Sequence, residues 1–408
     1  MKIIYLHQYF NTPDMAGATR SYELARRLVA MGHEVHMVTS DRDGLHATGS
    51  DWHVSDEAGI NVHWFPVPYS NKMSFLQRTR AFLKFAVAAS RKAASLGGDV
   101  VFATSTPLTI AVPAMYAIRR NRIPMVFEVR DLWPAVPIAL GVLKNPVLKF
   151  LALWLENKAY QSSTEIVALA PGMKEEVVKS GYPADKVTVI PNGCDLELFQ
   201  NREGEVEALR AKNEWLQDRP LVSYIGTLGR VNAVDYLVRV AGHMLELDPE
   251  VRFVVIGGGA EAPKIRALAQ ELNVLDKNFF MFDRMPKAQV VPWFCASSMS
   301  IALVTGPRFI WKDATQNKYF DTMAAGRPVA ANYDGWQAQL VSDEGGGVIL
   351  DAKNHEQAAR QLLAKLSDEK WMREASEIAS NLARTRFSRD SHGQALEEVL
   401  ARAVSEYA

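Results

Sequence analysis

The chain has 408 residues, 48% hydrophobic and 23% charged, an ordinary globular composition long enough for two domains. Forty-six Lys and Arg balance forty-six Asp and Glu, so bulk charge gives no reason to expect nucleic acid as a partner. The two cysteines, Cys194 and Cys295, lie in different halves and exclude a disulfide scaffold.

The opening, MKIIYLHQYF, runs straight into a strand-like segment without a cleavage-site pattern. Apolar runs such as PAVPIALGVL (134–143) reach about half the length of a spanning helix. A soluble, cytoplasmic protein is expected, one that touches a membrane only as a surface. Strands are predicted at 3–6, 35–39, 62–65, 100–103, 125–128, 166–169 and 187–190, with helices at 19–30, 76–94, 146–160 and 173–179 between them. This alternation reads as βαβ units around a parallel sheet.

The same grammar restarts after PNGCDLELF (191–199). A strand at 221–225 leads to a glycine loop, a helix at 235–247, and a strand at 251–256 that ends in Gly257-Gly258-Gly259. The expectation is two doubly wound, Rossmann-like α/β domains facing a ligand cleft. Residues 1–193 form the first, 194–386 the second, and a helical segment at 387–408 crosses back onto the first. The hinge falls near 191–195.

Residues 71–98 carry Lys72, Arg78, Arg80, Lys84, Arg91 and Lys92 and no acid, with apolar residues at near-helical spacing. An anionic membrane surface suits such a helix, and so does an ordinary solvated basic face. Both readings stay open.

The most informative stretch is KDATQNKYFDTMAAGRPVA (312–330). A helix starting near Thr315, Gln316 and Asn317, capped by Gly326, offers unpaired N–H groups and a positive dipole end to a phosphate. Lys318 adds a full charge in the first turn. Asp313 and Asp321, eight residues apart, address two ends of an extended ligand; an ionised carboxylate accepts from both hydroxyls of a ribose. Taken alone, the pattern reads more readily as a plain N-terminal acid helping the helix dipole. Asp41-Arg42-Asp43 is set aside as a solvated loop, and the histidine-rich first 63 residues lack metal-ligand spacing.

The spacing acid-x7-acid followed by MAAGRPV resembles the E-x7-E signature of the retaining GT-B glycosyltransferases of family 4. The blocks MAGATR (15–20), FEVRDLWPAVPIALG (127–141), ALAPGMKEEV (168–177), VIPNGCD (189–195), YIGTLGRVNAVDYL (224–237), VIGGGAE (255–261) and ANYDGWQAQLV (331–341) extend the likeness over nearly the whole chain. RDLWP and NYDGW are similar to a bacterial branch that includes L-fucosamine transferases of surface-polysaccharide assembly.

The resemblance implies transfer of a sugar from a nucleoside diphosphate donor, UDP-linked, to a lipid-linked or growing surface glycan (O-antigen, capsule or exopolysaccharide). An N-acetylated deoxyhexosamine is one such sugar. It further implies no metal and no cofactor beyond the nucleotide sugar, with the protein peripheral on the inner face of the cytoplasmic membrane. Carried onto this sequence, Asp313 lies by the donor sugar. Asp321 takes the ribose, and Gly17, Gly229, Arg230, Asn317 and Lys318 take the diphosphate. Arg284 and Met285 take the base, and Arg130 and Asp131 take the sugar or acceptor. Lys72, Arg78, Arg80 and Lys84 would dock the membrane. Both family glutamates are aspartates here, and the lysine expected in the 226–235 loop has no counterpart. An epimerase of the same architecture and a catalytically inactive nucleotide-sugar-binding subunit are the alternatives.

Overall fold

The computed structural model describes all residues except 16–17, 47–48, 50, 69–72, 106, 140, 142 and 408, and leaves out the side chains of 75 and 76. Gly17 and Lys72 therefore lie outside the described residues. The chain forms two Rossmann-like α/β units, Met1–Pro191 with His392–Ala408, and Asn192–Ser391.

The first unit carries β1 (Lys2–Leu6), β2 (Glu34–Asp41), β3 (His53–Glu57), β4 (Ile60–Pro66), β5 (Val100–Thr104), β6 (Met125–Val129), β7 (Glu165–Ala168) and β8 (Val187–Val189), in the order β3-β4-β2-β1-β5-β6-β7-β8. All pairings are parallel except β3 with β4. The expected strands form within a residue or two. The addition is β3, whose sequence HVSDE lacks an apolar repeat because it is a mostly exposed edge strand. Right-handed crossovers put the helices Phe75–Leu96, Ala111–Asn121 and Pro146–Gln161 on one face. The helix Arg20–Ala30 covers the other, where Leu24, Ala25 and Leu28 share a core with Leu396, Val399 and Leu400 of the last helix, Arg389–Tyr407.

The second unit holds β9 (Leu221–Ile225), β10 (Arg252–Ile256), β11 (Phe279–Phe282), β12 (Met299–Ala302), β13 (Val329–Ala331) and β14 (Gly347–Ile349), all parallel, in the order β11-β10-β9-β12-β13-β14. Strand order reverses between β9 and β12, so the loops after these two strands diverge and leave a crevice at their carboxyl ends. The equivalent reversal in the first unit lies between β1 and β5.

The chain passes between units at Pro191–Asn192 and again at Ser391–His392, inside the last helix. The helix expected from 387 starts at Arg389, and its first residues stay with the second unit for a physical reason. Cys194 donates its N–H to the carbonyl of Phe387 at 2.9 Å, Arg389 returns one to Cys194 at 3.0 Å, and the Arg389 guanidinium pairs with Asp195.

Candidate active site

In the second unit the loops after β9 and β10 are packed backbone to backbone. Leu228 donates to the carbonyl of Gly258 at 3.0 Å and Gly226 to that of Ile256 at 2.9 Å. A Cβ on Gly257 would lie 1.8 Å from the Gly226 carbonyl oxygen, and one on Gly259 would lie 2.3 Å from that of Leu228. No side chain fits at either position, which is why the sequence carries glycine there.

Against this crossing stands the N-terminus of the helix Asn317–Ala324. Gln316 gives it no side-chain cap, and among the described residues nothing accepts from the backbone N–H of Asn317 or Lys318. Gly326, expected as the cap, lies one residue past the capping position, Ala325, with φ +65°. The Lys318 ammonium donates to Tyr224 Oη at 2.9 Å and stands 4.0 Å from that ring's centre. Tyr224 in turn donates to the Thr227 carbonyl at 2.8 Å. Burial pushes Lys318 down from 10.5 to about 7, and no carboxylate among the described residues offsets it. A cation in the first turn of a helix is disfavoured by the dipole as well. Open amides, a desolvated lysine and two closely approaching glycine loops together form a seat for an anion.

Asp313 and Asp321 are both buried. Asp321 Oδ2 meets Lys287 Nζ at 2.5 Å, and Asp313 Oδ2 meets Lys312 Nζ at 3.5 Å. The loop that carries Asp313 is pinned at both ends. Asn192 donates to the Thr315 carbonyl at 2.8 Å, and Trp336 donates its N–H to the Lys312 carbonyl at 3.1 Å. Arg230 is exposed in a short 3-10 turn. The Gly229 N–H, expected to face the diphosphate, donates to Asn232 Oδ1 at 3.3 Å. Arg284 is exposed beside Gly258, whereas Met285 packs on the cluster that includes Trp293 and Phe294. Next to them, a depression of about 290 Å3 is bordered by Leu228, Gly257, Met281, Phe282 and Asp283.

In the first unit, Arg130 and Asp131 follow β6. The Arg130 N–H donates to Ser105 Oγ at 3.0 Å, and its guanidinium lies 3.4 Å from His7 Nε2. Burial and then the Arg130 charge hold His7 well below its ordinary range, so it is neutral. Asp131 is exposed. Glu128, near the end of β6, is fully buried and bound to Arg20 at 2.9 Å and Thr104 at 3.0 Å, which gives it a structural role. On the helix Phe75–Leu96, Arg80 is exposed, Arg78 is half-buried, and Lys84 is tied to the Pro66 carbonyl at 3.1 Å and lies over the Phe65 ring.

Residues 16–193 match the family described as "Glycosyl transferase 4-like domain", and residues 205–382 match "Glycosyl transferases group 1". Together the two matches make up the two halves of a GT-B glycosyltransferase fold. It is 27% identical over 263 residues to the D-inositol 3-phosphate glycosyltransferase of Xylanimonas cellulosilytica, covering 61% of this chain and 59% of that one. The chain thus spans about 60% of the length of such curated relatives. Among solved structures it resembles sucrose-phosphate synthase from Thermosynechococcus elongatus (TM-score 0.78, 16% identity, 99% of both chains). It also resembles Anabaena HepE in complex with UDP (TM-score 0.72, 16% identity, 98% of this chain and 100% of that one).

Two residues of the site escaped sequence reasoning. Tyr224, the partner of Lys318, hides in a strand that reads as plain core. Lys287 pairs with Asp321 from the first turn of its own helix, Lys287–Ala296. A lysine at that dipole-disfavoured place was the available signal.

Proposed function

We propose that this GT-B chain is a retaining, metal-independent glycosyltransferase that moves a sugar from a UDP-linked donor to a lipid-linked saccharide of a bacterial surface glycan at the inner leaflet. The observation that carries the reading is the anion seat formed by the 226–229 and 257–259 loops, the open helix N-terminus and Lys318. A diphosphate fills that seat, and HepE, of the same fold, is described in complex with UDP. Asp321 takes the ribose after release from Lys287. Arg284 and the depression bordered by Gly257 receive the base, and Asp313 holds the donor sugar. Arg130 and Asp131 bind sugar or acceptor.

As the C1–O bond breaks, its electron pair goes to the β-phosphate oxygen. The acceptor oxygen bonds to C1 on the same face and yields its proton to that departing phosphate. The work asked of the protein is stabilising the charge that grows on the leaving group, which Lys318, Arg230 and the helix amides do as preorganised donors. No protein nucleophile is required. Lipid-linked acceptor and membrane surface fit the RDLWP and NYDGW blocks and the acid-free basic helix at 71–98.

Calorimetric titration with UDP and with GDP, each with and without EDTA, tests the donor half. UDP-selective, EDTA-insensitive binding is expected, and a requirement for a divalent ion refutes the charge clamp. Release of free UDP from UDP-sugars only when lipid-linked saccharide is added supports transfer. Release with inositol phosphate instead reassigns the acceptor, and isomerised nucleotide sugar without release favours the epimerase.

A further inference from the structure

The helix Pro146–Gln161 carries its apolar repeat on the wrong side for a core. Val147, Phe150, Leu151 and Trp154, at i, i+3, i+4 and i+7, share one stripe, and they are 62%, 67%, 49% and 50% exposed. At this spacing a stripe normally packs inward. Here it faces out, and the helix buries Ala159 and Tyr160 instead. Its neighbour on the same layer, Ala111–Asn121, exposes Val112 and Tyr116, and the next, Phe75–Leu96, exposes Leu83 and Val87. Large apolar side chains exposed on three neighbouring helices of one layer mark an interaction face.

The charge around it is mostly basic. From Ala58 to Phe127 the only acid is Asp99, and it is occupied at 2.7 Å by the backbone N–H of Lys2. From Leu132 to Leu155 there is none, and Glu156, on the inserting helix itself, is half-buried and accepts from Tyr160 Oη at 3.0 Å. Between the helices Phe75–Leu96 and Ala111–Asn121 lies a depression of about 540 Å3 lined by Arg91, Arg120, Tyr116 and Ser95. Among the described residues neither arginine is in an ion pair.

We propose that this layer of the first unit seats on an anionic lipid bilayer. Val147, Phe150, Leu151 and Trp154 enter the headgroup–acyl boundary, and Arg91 and Arg120 take lipid phosphate. Apolar side chains with basic residues around them are what an interfacial helix needs. A second copy fits poorly, because a two-fold contact would set this basic surface against itself. Lys72, Arg78 and Lys84 are not the anchor in this reading; the insertion element is the helix Pro146–Gln161. The inference shares its membrane setting with the proposed function, yet vesicle binding needs neither donor nor acceptor, so either can fail alone.

The test is co-sedimentation of the full chain with equimolar phosphatidylglycerol–phosphatidylcholine vesicles and with pure phosphatidylcholine vesicles. Wild type is expected to bind the anionic vesicles more tightly. Phe150→Ser with Trp154→Ser should weaken vesicle binding by about tenfold or more at unchanged melting temperature. Arg91→Ser with Arg120→Ser should abolish the preference for anionic lipid. Vesicle binding that survives Phe150→Ser with Trp154→Ser overturns the proposal. So does a wild type that ignores vesicles, including one that forms a dimer which that double substitution dissolves.

Discussion

The reading of Lys318 commits the protein to a specific dependence of UDP affinity on pH. With no anion present, burial holds its ammonium near 7 in place of 10.5. A bound diphosphate supplies the missing counter-charge and returns the pKa toward 10.5, so binding takes up a proton. Affinity then tracks the fraction of Lys318 already charged. That fraction is about one half at about pH 7 and about one hundredth at about pH 9. The dissociation constant should therefore rise about fiftyfold across this interval, equivalent to about 2.3 kcal/mol. Tyr224 does not blur the signal, since burial raises its phenol and keeps it protonated. The terminal phosphate of UDP, with a second pKa about 6, is ionised throughout. Isothermal titration in buffers of different ionisation enthalpy reads both the affinity and the proton count. Lys318→Met should bind UDP weakly and with a flat profile. A flat wild-type profile, or an equal slope in Lys318→Met, refutes the assignment of this lysine to the diphosphate.

Three other substitutions separate function from packing. Gly257→Ala places a methyl 1.8 Å from the Gly226 carbonyl, so stability should fall by about 1–3 kcal/mol in thermal melts and UDP binding should be lost; a variant normal in both would mean the loop crossing is not rigid. Asp321→Ala should weaken UDP binding about tenfold or more through lost ribose hydrogen bonds, while Lys287→Ala, which releases the carboxylate, should leave it equal or tighter. Equal weakening in the two titrations would make Asp321 a structural ion partner only. Glu128→Ala leaves the Arg20 guanidinium buried without its carboxylate and should cost about 3–5 kcal/mol in denaturant unfolding. A loss below about 1 kcal/mol would show that Arg20 finds water or another acceptor.

What was legible in the sequence, and what was not, follows from the range of the forces involved. Strands such as Val100–Thr104 and Leu221–Ile225 announce themselves because both faces are buried and every residue is under the same apolar demand. The edge strand His53–Glu57 answers to one neighbour only, so its residues are free to be polar and leave no pattern. At the site, Asp313, Asp321 and Lys318 were visible as residue types at a spacing, but their states were not. That Lys318 is desolvated depends on Tyr224, ninety-four residues away in the chain, and that Asp321 is neutralised depends on Lys287. Gly257 looked like the end of a strand, and only the Gly226 carbonyl against it makes the glycine obligatory.

The helix Pro146–Gln161 carries the same lesson in reverse. Its repeat predicts a helix correctly, because periodicity reports the spacing of apolar residues along a chain. It says nothing of what covers them, since a core, a second subunit and a lipid boundary all select one apolar stripe. The choice among these is made by the surrounding charge, and here that charge is basic over three neighbouring helices. Desolvating those cations against protein would cost more than the stripe gains unless the partner is anionic, whereas lipid phosphate leaves them hydrated and neutralised at once. The apolar stripe and the basic residues around it are therefore one feature: substituting the stripe should unseat the protein from the bilayer, and substituting Arg91 and Arg120 should remove its preference for anionic lipid, both without touching the nucleotide site.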